Sequence, residues 1–339
     1  MIMKFQKTFS DMSKILVLAS QSDKHLGLFT DLENYNHVAL YYVLLKKVCR
    51  PLRLIRRCHL NRFVNTQLVQ LPYKYLWYDN SRNLPLNNIK GVLVINGCTN
   101  KISLSFLRRC RSKRIPVFLL ILDSLNAESL VMKGKNKDVF FNSVWTEVFS
   151  FDPEDSKRFG FTYKGFCFYS RKHSISINNR PENDLYFTGN TKGGRLGFIN
   201  NSFSYLQSHG CKCVYDVQLQ HPNDETIEGI HYNKRWISYD EVLERLLNSK
   251  CILEVIQANQ HGPSLRYFEA IFYNKKLLTN NADIVHYPLY NPQWMRVART
   301  PEEIDIDWLK ADDEVDYHYN GEFSPIHFID YLINRIENA

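Results

Sequence analysis

The sequence contains no apolar run long enough to cross a bilayer. The longest, residues 38–45 and 117–122 among them, fall far short of the ~20 residues that a spanning helix needs, and they sit close to charges. Leader-like patterning is missing too: residues 1–13 mix Lys4 and Lys7 with Asp11 and hold no apolar stretch of signal-peptide length. The expectation is a soluble, cytoplasmic chain. Cysteine occurs eight times but without pattern, and Cys211 and Cys213 form the only close pair, which indicates neither a disulfide framework nor a zinc site. The Walker loop and the complete dinucleotide fingerprint are also absent. Asp305-Ile306-Asp307 has the spacing of a metal-binding carboxylate pair but leads into Trp308-Leu309-Lys310 in a late acidic segment, where a solvated helix start is expected. No metal and no cofactor is read from the sequence.

What is present is enough apolar material for two cores: 339 residues, 44% of them hydrophobic. The spacing predicts a strand at 14–19, a polar loop at 20–27, a helix at 38–48, a strand at 90–97, a helix at 103–113 and a strand at 116–122. Between 149 and 183 the periodicity dissolves among aromatics and turn formers such as Phe151-Asp152-Pro153 and Phe159-Gly160-Phe161, and the connection between domains is placed near the end of that stretch. Alternation restarts with a strand at 184–188, a Gly-rich loop at 189–194, a helix at 195–209 and a strand at 211–217. A helix at 239–249 follows, with Ser238 as N-cap and Glu241 completing a capping box. A strand at 251–256, a helix at 264–273, a strand at 276–279 and a helix at 325–336 capped by Ser324 complete the reading. Strands alternating with helices predict parallel sheets covered on both faces, here in two domains, 1–180 and 181–339.

The formal net charge of +8 is unevenly placed. Lys46, Lys47, Arg50, Arg53, Arg56, Arg57 and Arg62 form one cluster, and Lys101, Arg108, Arg109, Arg111, Lys113 and Arg114 another. Such clusters suit an anionic partner: a lipid headgroup surface, a diphosphate-linked acceptor or nucleic acid. A nucleic-acid-binding protein is the rival reading that the basic clusters support, although no recognised RNA or DNA module occurs.

Two loops of the second half have the makeup of a ligand site beyond the carboxyl ends of parallel strands. In the first, Gly189-Asn190-Thr191-Lys192-Gly193-Gly194-Arg195, small residues permit close approach of backbone N–H groups, and Lys192 and Arg195 add positive charge. In the second, Gln257 to Glu269, a buried strand opens into a polar loop containing His261 and Gly262, and a helix starts at Pro263 or Ser264. The N–H groups of Ser264 and Leu265 can hold a diphosphate, and a carboxylate further along, Glu269, can accept both hydroxyls of a ribose.

This second stretch, Gln257 to Ala270 followed by Lys275-Lys276-Leu277-Leu278-Thr279-Asn280, resembles the donor-binding segment of GT-B glycosyltransferases. The resemblance extends to Tyr186-Phe187-Thr188-Gly189 with Lys192-Gly193 and to Ile237-Ser238-Tyr239, and so covers most of residues 184–285. More narrowly, Cys251-Ile252-Leu253-Glu254 through Asn280, with Gly321-Glu322-Phe323-Ser324-Pro325, is similar to transferases of bacterial capsule and lipopolysaccharide clusters. It implies an α/β GT-B fold, two Rossmann-like lobes facing across a cleft with a C-terminal helix, and sugar transfer from a nucleotide-sugar donor to a glycan or lipid-linked glycan acceptor. Carried over by position, it implies that Glu269 binds the donor ribose, that Gly262 to Leu265 meet the diphosphate, that Lys192 and Arg195 neutralise it, and that Ile237 lies near the base. Gly189, Asn190, Gln257, His261 and Arg266 complete the implied donor site. One departure stands out, since the position eight before the ribose Glu, a carboxylate in the retaining branch, is His261 here.

An inverting mechanism needs a general base from the first lobe, and Asp31, His25 and Asp123 are the candidates. The same reading sets Arg53, Arg56, Arg57 and Arg109 against an anionic acceptor or membrane surface at the inner face of the plasma membrane, with no nucleic acid as partner. It also expects Glu269→Ala to weaken donor binding while leaving the fold intact. A GT-B-shaped sugar-nucleotide epimerase or an inactive paralogue remains a further alternative.

Overall fold

The computed structural model describes residues 14–61, 64–65, 71, 73–78, 84–125, 144–172, 181–221, 223–233 and 237–338. The first sheet consists of β1 (Lys14–Ser20), β2 (Val38–Val43), β3 (Ile89–Ile95), β4 (Val117–Ile121), β5 (Glu147–Ser150) and β6 (Thr162–Tyr163). The second consists of β7 (Asn183–Asn190), β8 (Cys213–Gln218), β9 (His231–Tyr232), β10 (Ser249–Glu254), β11 (Lys276–Thr279) and β12 (Met295–Val297). Every pairing between these strands is parallel. Their central strands read as continuous apolar runs because helices cover both faces: Val17, Leu18 and Ala19 in β1 and Cys251, Ile252 and Leu253 in β10 are wholly inaccessible.

The helices are α1 (Gln21–Leu26), α2 (Arg50–His59), α3 (Leu104–Ser112), α4 (Pro153–Phe159), α5 (Leu196–Ser208), α6 (Tyr239–Leu247), α7 (Leu265–Phe272), α8 (Ile306–Lys310) and α9 (Pro325–Glu337). Among the described residues no helix is long and apolar enough to cross a membrane.

Strand order locates the ligand edges. The first sheet runs β2-β1-β3-β4-β5-β6 and the second β12-β11-β10-β7-β8-β9. Chain direction across the sheet reverses between β1 and β3 in one and between β7 and β10 in the other. In open parallel sheets the crevice beyond the carboxyl ends at such a point is where ligands bind.

Three stretches differ from the sequence expectation. Residues 38–48 do not form a helix: β2 pairs with β1 from Ile15↔Val38 to Ser20↔Val43. The Val-Ala-Leu-Tyr-Tyr-Val run is strand-forming by its branched and aromatic side chains, and the lysines that suggested a polar helix face lie beyond its end. Residues 20–27 are not a loop but α1, closed by a reciprocal capping box between Ser20 and Asp23 and by Gly27 at φ 64°. The stretch after 149 contains the short helix α4, with Asp152 as N-cap, Pro153 in its first turn and Gly160 at φ 69°. Helices this short carry their signal in the caps rather than in periodicity.

Although it follows the second sheet in sequence, α9 lies on the first. Phe328 meets Phe149 edge-on at 5.2 Å, Ser324 Oγ donates to Asp31 Oδ2 at 2.6 Å, Tyr35 bonds to Asp330, and Lys90 pairs with Glu337 at 3.1 Å. A Cβ on Gly91 would come within 2.8 Å of Ile336 Cδ1, which shows how closely the helix approaches this strand. An aromatic seam joins the lobes: Phe166 contacts Tyr267, Tyr287 and Phe323, and Tyr169 meets Phe268 at 4.6 Å. One apolar cluster consequently runs from Ile15 through Tyr186 and Phe268 to Leu332.

Candidate functional site at the β7–β10 switch point

Gly189 and Asn190 end β7, and the turn that follows is braced by Arg195. Its Nε donates to Lys192 O at 2.9 Å and its Nη1 to Val255 O at 3.2 Å, while Nη2 bonds to Asn190 Oδ1. Burial draws the pKa of Arg195 down to about 10. This guanidinium is thus a tie between the exits of β7 and β10. Gly193, at φ 66°, is required by the same junction: a Cβ there would lie 2.8 Å from Gln257 Cβ. Its carbonyl accepts Ala258 N at 3.2 Å. Lys192 is half-buried, with its N–H on Asn190 Oδ1 at 3.1 Å.

Beyond β10, the N–H groups of His261, Gly262 and Ser264 are taken by carboxylates of the chain itself. Glu254, wholly buried, accepts Ser264 N at 2.9 Å and Thr279 Oγ1 at 2.7 Å. Burial raises its pKa, and these hydrogen bonds hold it back. Asp152 reaches across from the first lobe, its Oδ2 accepting His261 N at 3.1 Å and Gly262 N at 3.2 Å while Oδ1 caps α4. The ring of Phe151 sits on Gly262, where a Cβ would come within 2.3 Å. A helix start attracts anions, and here two internal carboxylates meet that attraction. Pro263 is buried, Leu265 half-buried, and Arg266 N is capped by Ser264 Oγ at 3.2 Å.

The His261 side chain remains half exposed, its Nδ1 2.9 Å from Asp283 Oδ2. Together with Asn259 and, from the first lobe, Glu154 and Arg158, it lines a polar pocket of about 380 Å³ between the lobes.

One turn into α7 lies Glu269, also wholly buried. Tyr239 donates its hydroxyl to Oε1 at 2.9 Å. Arg266 Nη1 stands 2.7 Å from Oε2, close enough for an ion pair, yet neither atom has a well-aligned hydrogen bond. Burial raises the pKa of Glu269, with the Arg266 charge and then the Tyr239 hydroxyl opposing the rise. A buried acceptor and donor with unfilled capacity is uncommon and suits a ligand hydroxyl. Ile237 and Gln257 are half-buried, Ile237 packed on the main core and Gln257 against Gly193.

Across the seam, the β1–β3 edge gathers carboxylates that sequence reasoning only partly found. Asp123 Oδ2 accepts from Asn96 Nδ2 at 2.8 Å. Asp23 accepts Ser20 N at 2.6 Å, and burial raises its pKa against the pull of those hydrogen bonds and of Lys101. Gly97 lies against Ser20 and Asp23. Buried Tyr169 feels both Asp123 and Asp23, which add to burial in raising its pKa. The sequence signal for Asp23 was there, a Ser-x-x-Asp box directly after a strand. Of the other base candidates, His25 is exposed in the last turn of α1 and Asp31 is engaged by Ser324. Arg53 and Arg57 are exposed on α2, whereas Arg56 Nη1 donates to Lys46 O at 2.6 Å and Arg109 Nη2 to Leu84 O at 3.2 Å. Arg62 lies outside the described residues.

No family model matches the sequence, and no curated protein matches it significantly. Solved structures do resemble the chain in outline. The glycotransferase of kitacinnamycin shares 13% identity over 96% of this chain and 99% of its own, with a TM-score of 0.43. The putative UDP-N-acetylglucosamine 2-epimerase from Listeria monocytogenes shares 11% over 96% of each chain, with a TM-score of 0.49. Phytolacca americana UGT2, complexed with UDP-2fluoro-glucose and pterostilbene, shares 9% over 96% and 94%, with a TM-score of 0.45. Likeness at this level carries no substrate or reaction across. The chain's own topology, two parallel Rossmann-like lobes with a terminal helix returned to the first, is the GT-B fold.

Proposed function

We propose that this protein is a glycosyltransferase that takes a sugar from a nucleotide-sugar donor held by the second lobe and places it on a glycan acceptor, lipid-linked and presented at an anionic membrane surface, in bacterial capsule or lipopolysaccharide synthesis. The observation that carries the reading is the buried Glu269–Arg266 pair at the β7–β10 switch point, whose unfilled hydrogen-bonding capacity suits the vicinal hydroxyls of a ribose. The diphosphate would lie toward the loop 261–265, replacing Asp152 as the anion on the His261 and Gly262 N–H groups. Asp123 and Asp23, on the facing lobe, are the groups placed to take a proton from an acceptor hydroxyl.

Calorimetry with a panel of nucleotide-sugars tests this. At least one donor is expected to bind, and Glu269→Gln, which keeps the shape but removes the charge, is expected to weaken it by roughly 10–100-fold, the worth of a hydrogen bond to a charged group. Absence of binding by every donor, or equal binding by the Gln variant, overturns the assignment. Conversion of the donor sugar with no acceptor present would replace transfer by epimerisation.

A further inference from the structure

Not one of the ten residues of α2 is buried. Its cations Arg50, Arg53 and Arg57 share one arc of the helix, while Leu52, Leu54, Ile55 and Cys58 occupy another. A surface helix ordinarily turns its apolar arc toward the core. Here the residues turned to the body are polar ones: Arg56 donates to Lys46 O, and His59, edge-on to the Trp77 ring, accepts at Nδ1 from Trp77 Nε1 at 2.8 Å. The apolar arc faces outward, with Leu52 42%, Leu54 67% and Ile55 55% exposed.

The neighbouring 3-10 turn Lys74–Trp77 continues the surface. Lys46 joins the two, its N–H donating to Trp77 O at 2.9 Å and its Nζ to Leu76 O at 3.2 Å. Leu76 is 52% and Tyr73 63% exposed. The charge on this surface is of one sign: between Glu33 and Asp79 the sequence has no Asp or Glu but eight Lys and Arg.

Phosphate-binding surfaces for nucleic acid need the cations but have no use for outward leucines. An interfacial helix needs both, apolar side chains for the acyl boundary and basic ones for anionic headgroups. We infer that α2 and the turn Lys74–Trp77 lie in the headgroup plane of an anionic bilayer, with Leu52, Leu54, Ile55 and Leu76 entering the acyl boundary and Arg50, Arg53 and Arg57 against lipid phosphates. This deepens the membrane part of the function proposed above and uses a surface remote in sequence from the donor loops.

Flotation of the full chain with vesicles of phosphatidylcholine alone, or containing about a third phosphatidylglycerol, tests it. Binding is expected only to the anionic vesicles and to weaken as salt rises. Leu54→Ser with Ile55→Ser, which leaves every charge in place, is expected to lower binding at least tenfold, and Arg50→Gln with Arg53→Gln and Arg57→Gln roughly a hundredfold. Because none of these side chains is buried, thermal unfolding and nucleotide-sugar calorimetry of both variants should match the parent. Equal binding to neutral vesicles, full binding by the serine variant, or tight binding of generic RNA that the serine variant retains while vesicles are ignored overturns the inference. Vesicle binding that persists in a protein with no affinity for any nucleotide-sugar would overturn the donor assignment and leave this surface standing.

Discussion

The two lobes keep their charge in different places. In the first, the central strands β1, β3 and β4 bury no charged residue, and Lys90 of β3 is exposed. In the second, the equivalent region is full of them: Glu254 at the end of β10, Lys276 in β11, Glu269 in α7, Lys275 beside it and Asp216 in β8 are all at most 5% exposed. Each has a dedicated partner. Lys276 Nζ donates to Trp308 O at 2.6 Å and Ala311 O at 2.7 Å, and pairs with Asp313. Asp216 accepts from Tyr186 and holds Arg245 at 2.5 Å. Buried charge adds little net stability but makes removal of one partner costly. The second lobe is thus a pre-set polar frame around its switch point, whereas the first keeps its central strands apolar and its buried carboxylates, Asp152 and Asp155, at the start of α4.

The sharpest way to break this contrast is Glu269→Ala. The sequence alone suggested that the fold would tolerate it. The structure shows instead that it would strand Arg266 beside a vacated, fully buried position, and a loss of about 3–5 kcal/mol is expected in urea unfolding. Unfolding unchanged from the parent would mean that the frame is dispensable.

A smaller effect is expected from Lys275, whose Nζ donates to a carbonyl, Leu247 O at 2.8 Å. Burial lowers its pKa from 10.5 to about 8. Between those values the unfolded chain binds the extra proton and the folded chain does not, so stability rises with pH across that window, by roughly 2–3 kcal/mol. Lys275→Met should lack this rise, and parallel curves for parent and variant from pH 8 to 10.5 would place the lysine's charge in water.

The mildest change in stability belongs to the rim. Asp123→Asn should leave stability within about 0.5 kcal/mol. It should still lower sugar transfer by about 10²–10⁴-fold if Asp123 is the base. Full turnover in that variant would pass the role to Asp23 or remove it from the rim altogether.

Much of this architecture is legible in the sequence because long parallel-sheet strands announce themselves. The apolar runs at β1, β3, β4, β10 and β11 and the capped helices α3, α6, α7 and α9 stand where periodicity puts them. What escaped included α1 and α4, too short for periodicity, the ten-residue α2, read only as part of a basic cluster, and the strand β2, whose flanking lysines imitate a helix face. For the site, local pattern points to both loops of the switch point. It does not reveal Asp152, which lies 110 residues from Gly262 and meets it only through the fold. Nor does it show that Arg195 and Glu269 face inward, since burial of a polar side chain depends on partners distant in sequence.

The placement of α9 has a consequence for biogenesis. Its residues cover the face of a sheet whose strands leave the ribosome some two hundred residues earlier, and Phe149 of that sheet rests on Phe328. One face of the first lobe's sheet therefore gains its cover only after the second has been translated, while the cluster on the other face, from Leu16 to Trp145, is closed by first-lobe residues. Domains generally fold in order of synthesis, and here the face of the first sheet that holds Phe149 receives its covering helix only after the second lobe has been made.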